Sequence, residues 1–424
     1  MPLKSISNQS SFIQKHGFYF ILAIAFVPAL INVVTRAYGP VENYGWNILY
    51  YHVGYETGFG GRKLLASFCH LIFPDFVKLR HIRAMVIAIN FVMVGAFVLF
   101  LGRCFRGSKN SPAMWTVTVL YLLGPFSIIA FMSTGLSVAF AETYQIALTI
   151  LWVLLWTRYR GEWPFYIATL LIAVTCCLLH HTFCCTLFPV YIGLFIYDII
   201  DHNNIRIKET IGYGIICVVL LGLLVIIWKY SQMTVSIDQL NEWFKSHVAV
   251  DAYECSRDAH VAYYYQSNAE NRANVAHLLT WECRYGELLW TILLLSPLLI
   301  AAYYPWIRAS HTAPTKLSSW RYRVIWILMT LLTLPIFFMA TDYNRWLVCY
   351  FFSLFAVTVA LISLGDRPLC AATSRMYQWF AKHPIIATSL AIYIISFHCT
   401  PFDQTKNLYG LQEAMDLWDF LKGL

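Results

Sequence analysis

The chain has 424 residues, of which 59% are hydrophobic and only 12% are charged. An ordinary soluble domain is about 25% charged, so this composition excludes a soluble enzyme. The formal net charge of +8 comes from Lys and Arg residues that are spread over many short connections. Because they do not form one basic patch, we expect no nucleic-acid partner and interpret them as a topology signal.

Apolar runs of the length that crosses about 30 Å of hydrocarbon follow one another along the sequence. They predict about eleven membrane-spanning helices, with ten or twelve as alternatives. Backbone exposed to lipid must satisfy its own polar groups, so the predicted fold class is all-α, a polytopic transmembrane helical bundle. We assign residues 1–398 to this bundle and 399–424 to an extracytoplasmic amphipathic tail. The predicted spans cover about 17–35, 84–102, 113–134, 143–157, 165–180, 182–200, 210–228, 288–304, 324–340, 346–364 and 385–398.

The distribution of Lys and Arg predicts the orientation, because cytoplasmic loops carry an excess of these residues. It places the N-terminus inside and the C-terminus outside, and gives the outer face two long loops, about 36–83 and 229–287. Most of the polar sequence then lies on the outer face, as in a membrane enzyme that acts on lipid-linked extracytoplasmic substrates. The inner connections, interpreted as plain connectors, are 1–16, 103–112, 158–164, 201–209, 305–323 and 365–384.

The first outer loop contains the segment GFGGRKLL, preceded by Glu56. Its glycines predict a tight backbone that leads into a short apolar helix from about Arg62 to Phe73, too short to span the membrane. The helix amides, Arg62 and Lys63 would together favour a phosphate or pyrophosphate. Alternatively, both cations extend to lipid headgroups.

A second polar segment, Asp342-Tyr343-Asn344-Arg345-Trp346, lies between two apolar runs. Asp342 and Arg345 could form a structural ion pair, since residues three apart meet on a helix. In the functional interpretation, Arg345 faces an anionic lipid-linked donor and Asp342 orients the donor or binds a sugar hydroxyl.

Two adjacent histidines, His180 and His181, lie between two closely spaced runs. A histidine can accept a proton near neutral pH, but adjacent residues point to different faces of a helix, so we expect at most one to face a cavity. Both could equally be structural. Glu142, at the start of a span, either binds substrate or is a helix N-terminal charge. We expect no metal, because neither HExxH nor a paired-carboxylate motif is present.

The large outer loop contains Cys255 and Cys283. They could form a disulfide if that face is oxidising. Tyr and Trp residues in the same loop could stack on sugar rings or form an interfacial cap.

The GFGGRKLL segment, the histidine at the end of a middle span and the Asp342–Trp346 segment together resemble bacterial multispan proteins of surface-polysaccharide assembly. The layout is similar to O-antigen or capsule repeat-unit polymerases and to the wider GT-C class of lipid-dependent glycosyltransferases. The sequence departs from the common GT-C pattern, because no Asp-x-Asp or Glu-x-Asp pair follows the first span.

This resemblance implies a glycosyltransferase of the bacterial inner membrane that acts on polyprenyl-pyrophosphate-linked oligosaccharides at the outer face, without a cofactor and with possible polysaccharide-assembly partners. In the hypothesis it suggests, Arg62 and Arg345 bind the donor pyrophosphate, and His181 or Glu56 takes the proton of the acceptor hydroxyl. Lys63, Glu142 and His180 assist binding. A transporter or flippase and a membrane O-acyltransferase remain alternatives.

Overall fold

The computed structural model describes most of the chain as helices. It describes residues 22–39, 41–74, 77–107, 111–135, 137–201, 204–231, 234–242, 292–339 and 343–395, with single gaps at 23, 136, 237, 241 and 294. Within these ranges there is no β-strand, only an isolated bridge between Ile200 and Ile205. The predicted all-α fold class is confirmed.

Two 3-10 segments and a succession of α-helices follow one another along the described chain. The 3-10 segments are Val41–Tyr51 and Tyr55–Thr57. The α-helices are α1 Ile24–Tyr38, α2 Leu64–Ile72, α3 Leu79–Gly107, α4 Ser111–Leu123, α5 Ile128–Ser133, α6 Ala141–Tyr159, α7 Trp163–Leu179, α8 Phe183–Thr186, α9 Phe188–Ile199, α10 Ile207–Tyr230, α11 Ser296–Thr312, α12 Lys316–Met339, α13 Tyr343–Ser363, α14 Arg367–Lys382 and α15 Pro384–Ile395.

Helix length and apolarity mark this as a membrane-embedded protein. Five helical stretches are long and apolar enough to cross a bilayer: α3, the stretch containing α4 and α5, α10, α12 and α13. Four shorter apolar helices, α1, α7, α9 and α15, accompany them. The count of eleven spans stays a prediction.

Helix α13 forms the centre of the bundle. Its most apolar window is 94% buried, whereas the corresponding window of α10 is 28% buried. Helix α13 packs against α3, α4, α9 and α12, while α10 exposes a broad apolar surface of the kind that faces lipid. A side chain on α13 is therefore inside the bundle wherever it lies along the helix.

The bundle has two distinct ends. At one, which we call the loop end, the segment 41–63 packs with α2 and the first turn of α3 in a separate apolar cluster that also contains Leu179 of α7. At the opposite anchor end, Arg160 after α6 lies 3.6 Å from Asp198 of α9. There, Arg321 of α12 donates to the carbonyl of Ile200.

Three local features differ from the simple span pattern. The apolar run 113–134 is broken into α4 and α5, and Ser127 caps α5 by accepting a hydrogen bond from the amide of Ala130 at 3.2 Å. The inner connection 365–384 is largely helix α14, which buries Leu369 and Met376 against the bundle. The short helix expected from Arg62 to Phe73 is present as α2, although it begins at Leu64.

Candidate functional site

The loop segment before α2 is held by Lys63. This side chain is 3% exposed, and its ammonium group donates to Thr57 Oγ1 at 3.0 Å and to the Gly58 carbonyl at 2.9 Å. Burial lowers the pKa of Lys63 to about 8, although the nearby Glu56 carboxylate opposes this shift. The main role visible for Lys63 is to hold the loop in place through these buried hydrogen bonds.

Glu56 lies near Lys63 in the same loop and is more exposed. Its carboxylate is 3.1 Å from His70 Nδ1 and accepts from the Gly54 amide at 2.9 Å. Burial raises the pKa of Glu56, but the hydrogen bonds with His70 and with backbone amides outweigh it and lower the pKa overall. The carboxylate is thus engaged in folding the loop.

The glycine before Arg62 brings the loop against the end of α7. A Cβ atom on Gly61 would lie 2.8 Å from Nδ1 of His181, so only glycine permits this approach. Arg62 has a φ of 80°, and its amide donates to the Leu178 carbonyl at 3.2 Å. These contacts place Arg62 next to both histidines.

The two histidines follow α7 rather than lying on it. Since α7 ends at Leu179, His180 is extended and His181 begins a turn. Their rings stack with centroids 5.2 Å apart. The expectation that they point to different faces is therefore wrong, because it assumed a continuous helix.

Gln145 on α6 and Thr182, just before α8, fix the position of His180. Gln145 Nε2 donates to the carbonyls of Cys176 and His180, each at 2.8 Å. The Thr182 amide donates to His180 Nδ1 at 3.2 Å, and the Thr182 hydroxyl is 2.5 Å from the same nitrogen. Gln145 therefore fixes the backbone of His180, and Thr182 fixes one edge of its ring.

A buried ion pair lies at the same end, where α6 and α13 begin. Arg345 Nη1 is 3.5 Å from Glu142 Oε2, and the two side chains are 3% and 0% exposed. The guanidinium carbon is also 4.3 Å from the Phe140 ring centroid and 4.8 Å from that of Trp346. Glu142 is in the first turn of α6, as the sequence predicted, and also has this charged partner.

These parts form one electrostatic cluster. Burial lowers the pKa of His180 well below its usual value, and the charges of Arg62, His181 and Arg345 lower it further. Burial and Arg62 lower the pKa of His181 to about 3. Both imidazoles are therefore neutral at pH 7, and the permanent charge of Arg62 acts on both.

Several buried polar atoms of the cluster have no hydrogen-bond partner among the described residues. Buried polar groups are normally satisfied, so such a concentration marks a place for water or a polar ligand. These atoms are Glu142 Oε1, His180 Nε2 and His181 Nδ1, and both amide atoms of Asn344, the residue before Arg345, are also unpartnered.

The structure thus brings together Arg62, Glu142, His180, His181 and Arg345. Lys63 and Glu56 adjoin this cluster, with the loop contacts described above. Asp342, Cys255, Cys283 and the tail 399–424 lie outside the described residues, so their predicted roles stay predictions.

Sequence reasoning missed Gln145 and Thr182. Gln145 is three residues after Glu142, hence on the same helix face, which is the one local signal that could have drawn attention to it. Within the described part of the chain, no three His, Cys, Asp or Glu side chains are grouped so that they could hold a metal ion.

The anchor end also buries charges, but there the two carboxylates are satisfied. Asp198 accepts from Trp156 Nε1 at 2.6 Å and from the Tyr213 hydroxyl at 2.7 Å. Asp366 accepts from the Tyr322 hydroxyl at 2.7 Å and lies 3.4 Å from Arg321 Nη2. These networks tie helices together and leave the loop end as the candidate site.

Comparison with known proteins adds no assignment to this geometry. Neither a family model, nor a curated protein sequence, nor a solved structure matches the chain. Fold and composition define the class of the protein as a multispan helical membrane protein.

Proposed function

We propose that this protein is a membrane glycosyltransferase of the polysaccharide-polymerase kind, which acts on polyprenyl-pyrophosphate-linked oligosaccharides at the extracytoplasmic face of a bacterial inner membrane. One observation carries the proposal: the charges of Arg62 and Arg345 both act on the buried His180, and His180 Nε2 and His181 Nδ1 lack partners among the described residues. Two guanidinium groups and one carboxylate leave this described cluster net positive, which favours an anionic headgroup.

The reaction requires charge stabilisation at the leaving group. The oxygen of the acceptor hydroxyl forms a bond to the anomeric carbon of the donor sugar. The bond between that carbon and the pyrophosphate breaks, and negative charge develops on the departing phosphate oxygen. Arg62 and Arg345 are suited to bind this oxygen, because guanidinium groups remain charged and bind phosphate through paired hydrogen bonds. Glu142 orients Arg345 through the ion pair.

His181 is the better of the two proton acceptors that the sequence indicates. Its Nδ1 atom is buried in the cluster without a hydrogen-bond partner among the described residues, whereas the Glu56 carboxylate is bonded to His70 and Gly54. The imidazole is neutral at pH 7, since its pKa is lowered to about 3. A bound pyrophosphate would offset the charge of Arg62 and raise the basicity of His181 when the acceptor hydroxyl must lose its proton.

Transport of the same lipid-linked anion is the second candidate. Transporters bury ionisable side chains within their helices, and Asp198, Arg321 and Arg345 are such residues. Asp198 is satisfied by Trp156 and Tyr213, and Arg321 is paired with Asp366, which favours the enzyme.

The test is the length distribution of the surface polysaccharide and its lipid-linked precursors after gene deletion. We expect precursors with a single repeat unit, rescued by the wild type but not by Arg62→Ala or Arg345→Ala. Arg80→Ala, which removes an exposed cation near the loop end, is the matched control and should rescue. Arg345→Lys, which keeps the charge and loses the paired geometry, should rescue partially.

Protein level and thermal unfolding of each variant separate loss of chemistry from loss of fold. Wild-type chain lengths in both arginine variants would refute the proposed site. Unchanged polymer length with lipid-linked precursor retained on the inner leaflet would favour transport.

A further inference from the structure

His180 presents two chemically different edges. Its Nδ1 atom accepts a hydrogen bond from the Thr182 amide. An amide N–H can only donate, so Nδ1 carries the lone pair, and the proton of the neutral imidazole is on Nε2. The Thr182 hydroxyl, 2.5 Å from Nδ1, can donate to the same lone pair and reinforces this tautomer.

The opposite edge of the ring is buried and unpartnered. His180 is 1% exposed, and its Nε2 atom has no hydrogen-bond partner among the described residues. A buried N–H without an acceptor is unfavourable and is expected where a ligand supplies the acceptor. Arg62 and Arg345 act electrostatically on this ring, so an anionic acceptor is favoured over a neutral one.

We propose that His180 donates a hydrogen bond through Nε2–H to an anionic phosphate oxygen, and that Thr182 is the positioning residue that fixes this tautomer. This inference rests on the proposed function, which places a pyrophosphate in the cluster. The inference gives the two imidazoles different roles. Nδ1 of His180 already accepts from Thr182 and its Nε2 carries the proton, so His180 is a hydrogen-bond donor and not the proton acceptor of the reaction. Gln145 contributes by holding the His180 carbonyl.

The tautomer is measured directly by NMR on the full-length protein in nanodiscs, with histidine side chains labelled with nitrogen-15. The His180 signals are assigned by their loss in His180→Gln. We expect a protonated Nε2 and an unprotonated Nδ1 at pH 7. Thr182→Ser should preserve this pattern, and Thr182→Val should weaken it, because the backbone amide then acts alone. An unprotonated Nε2 in the wild type would overturn the assignment.

The ligand is tested by binding inorganic pyrophosphate to the same samples in zwitterionic lipid. A hydrogen bond to a charged group is worth about ten- to hundredfold in affinity, so we expect His180→Met to lose about that factor. His180→Gln, whose amide N–H can occupy the place of Nε2–H, should stay within a few-fold of the wild type. Thr182→Val should fall between them. Thr175→Val is the control, because among the described residues the hydroxyl of Thr175 bonds only to the Leu171 carbonyl of its own helix, and it should not change affinity.

The outcomes separate this inference from the proposed function. No pyrophosphate binding by the wild type would overturn both the proposed function and the ligand assigned to His180. Wild-type binding that His180→Met leaves unchanged, with an unaltered unfolding temperature, would overturn the inference alone. Nanodiscs with phosphatidylglycerol distinguish the phosphate source: a lipid phosphate whose oxygen accepts from His180 would compete with pyrophosphate in the wild type but not in His180→Met.

Discussion

At the scale of single residues, the Glu142–Arg345 pair is the feature of the loop end that we expect to be most sensitive to substitution. Both side chains are buried, and their opposite charges compensate each other at 3.5 Å. Removing one partner of a buried pair leaves an unpaired charge and typically costs about 3–5 kcal/mol. We expect Glu142→Ala to lower the free energy of unfolding in detergent by that order, measured by thermal or denaturant unfolding.

The control is the exposed pair Asp201–Arg206, 2.7 Å apart with side chains 39% and 50% exposed. Asp201→Ala should cost about 1 kcal/mol or less, because surface pairs gain little in water. Equal effects of the two substitutions would show that the Glu142–Arg345 pair is not electrostatically isolated from solvent.

His52 makes the loop segment sensitive to acid. Burial, and secondarily His70, lower the pKa of His52 from 6.5 to about 3. Between these values the unfolded state binds the proton and the folded state does not, so stability falls as the pH falls below 6.5. The expected loss between pH 7 and pH 5 is about 2 kcal/mol from this group, visible as a lower unfolding temperature. His180 and His181 add to it in the same direction.

His52→Gln should reduce the slope of unfolding temperature against pH over this interval without abolishing it. This variant leaves the Glu56–His70 pair in place. Because the pKa of Glu56 is lowered in the folded protein, the stability that Glu56 contributes is lost only at pH values below this window. A slope identical to that of the wild type would mean that His52 is protonated in the folded protein.

At the scale of elements, the close approach of the loop to the end of α7 depends on Gly61. An alanine there would place a methyl group 2.8 Å from His181 Nδ1, so the imidazole or the loop must move. We expect Gly61→Ala to weaken pyrophosphate binding and to destabilise by about 1–3 kcal/mol, the usual cost of overpacking. Binding and unfolding measurements on the same preparation test both.

Gly214→Ala is the matched control, since in the described part of the chain a Cβ atom at this position in α10 would meet nothing within 4 Å apart from its chain neighbours and its own helix backbone. Alanine is favoured over glycine inside a helix by about 0.5–1 kcal/mol, so this variant should be neutral or slightly more stable. A loss of pyrophosphate binding in Gly214→Ala would argue against a local effect at Gly61.

The helices could largely be predicted from the sequence, and the site only in part. Hydropathy marks the apolar runs well because a lipid-facing helix must be apolar, as in α10. It cannot show that Asp198 is tolerated inside the run 182–200, since the groups that satisfy it come from Trp156 and Tyr213 on other helices. For the same reason, residue type alone could identify Arg62 and Arg345 as candidate site residues. Only the tertiary structure shows that both charges act on the imidazole of His180.

At the scale of the whole molecule, the two ends differ in how they treat buried charge. Asp366 accepts from Tyr322 and caps α14 by accepting from the Leu369 amide at 3.1 Å, with Arg321 nearby. Nothing at this carboxylate calls for a ligand. We expect Asp366→Ala to cost about 3 kcal/mol of stability, from a lost cap and lost charged hydrogen bonds, while pyrophosphate affinity of the folded protein stays unchanged. A fall in affinity at full stability would contradict a purely structural anchor end.

The same two ends allow the predicted orientation to be tested. Lys78, just before α3, is exposed at the loop end, and Arg367, at the start of α14, is exposed at the anchor end. Connections at the anchor end carry many cations, and an excess of Lys and Arg is typical of cytoplasmic loops. We expect a membrane-impermeant thiol reagent to label Lys78→Cys in intact cells and to label Arg367→Cys only after permeabilisation, each above the wild-type background. The reverse pattern would place the cluster of Arg62, His180 and Arg345 in the cytoplasm, where an extracytoplasmic lipid-linked donor could not reach it.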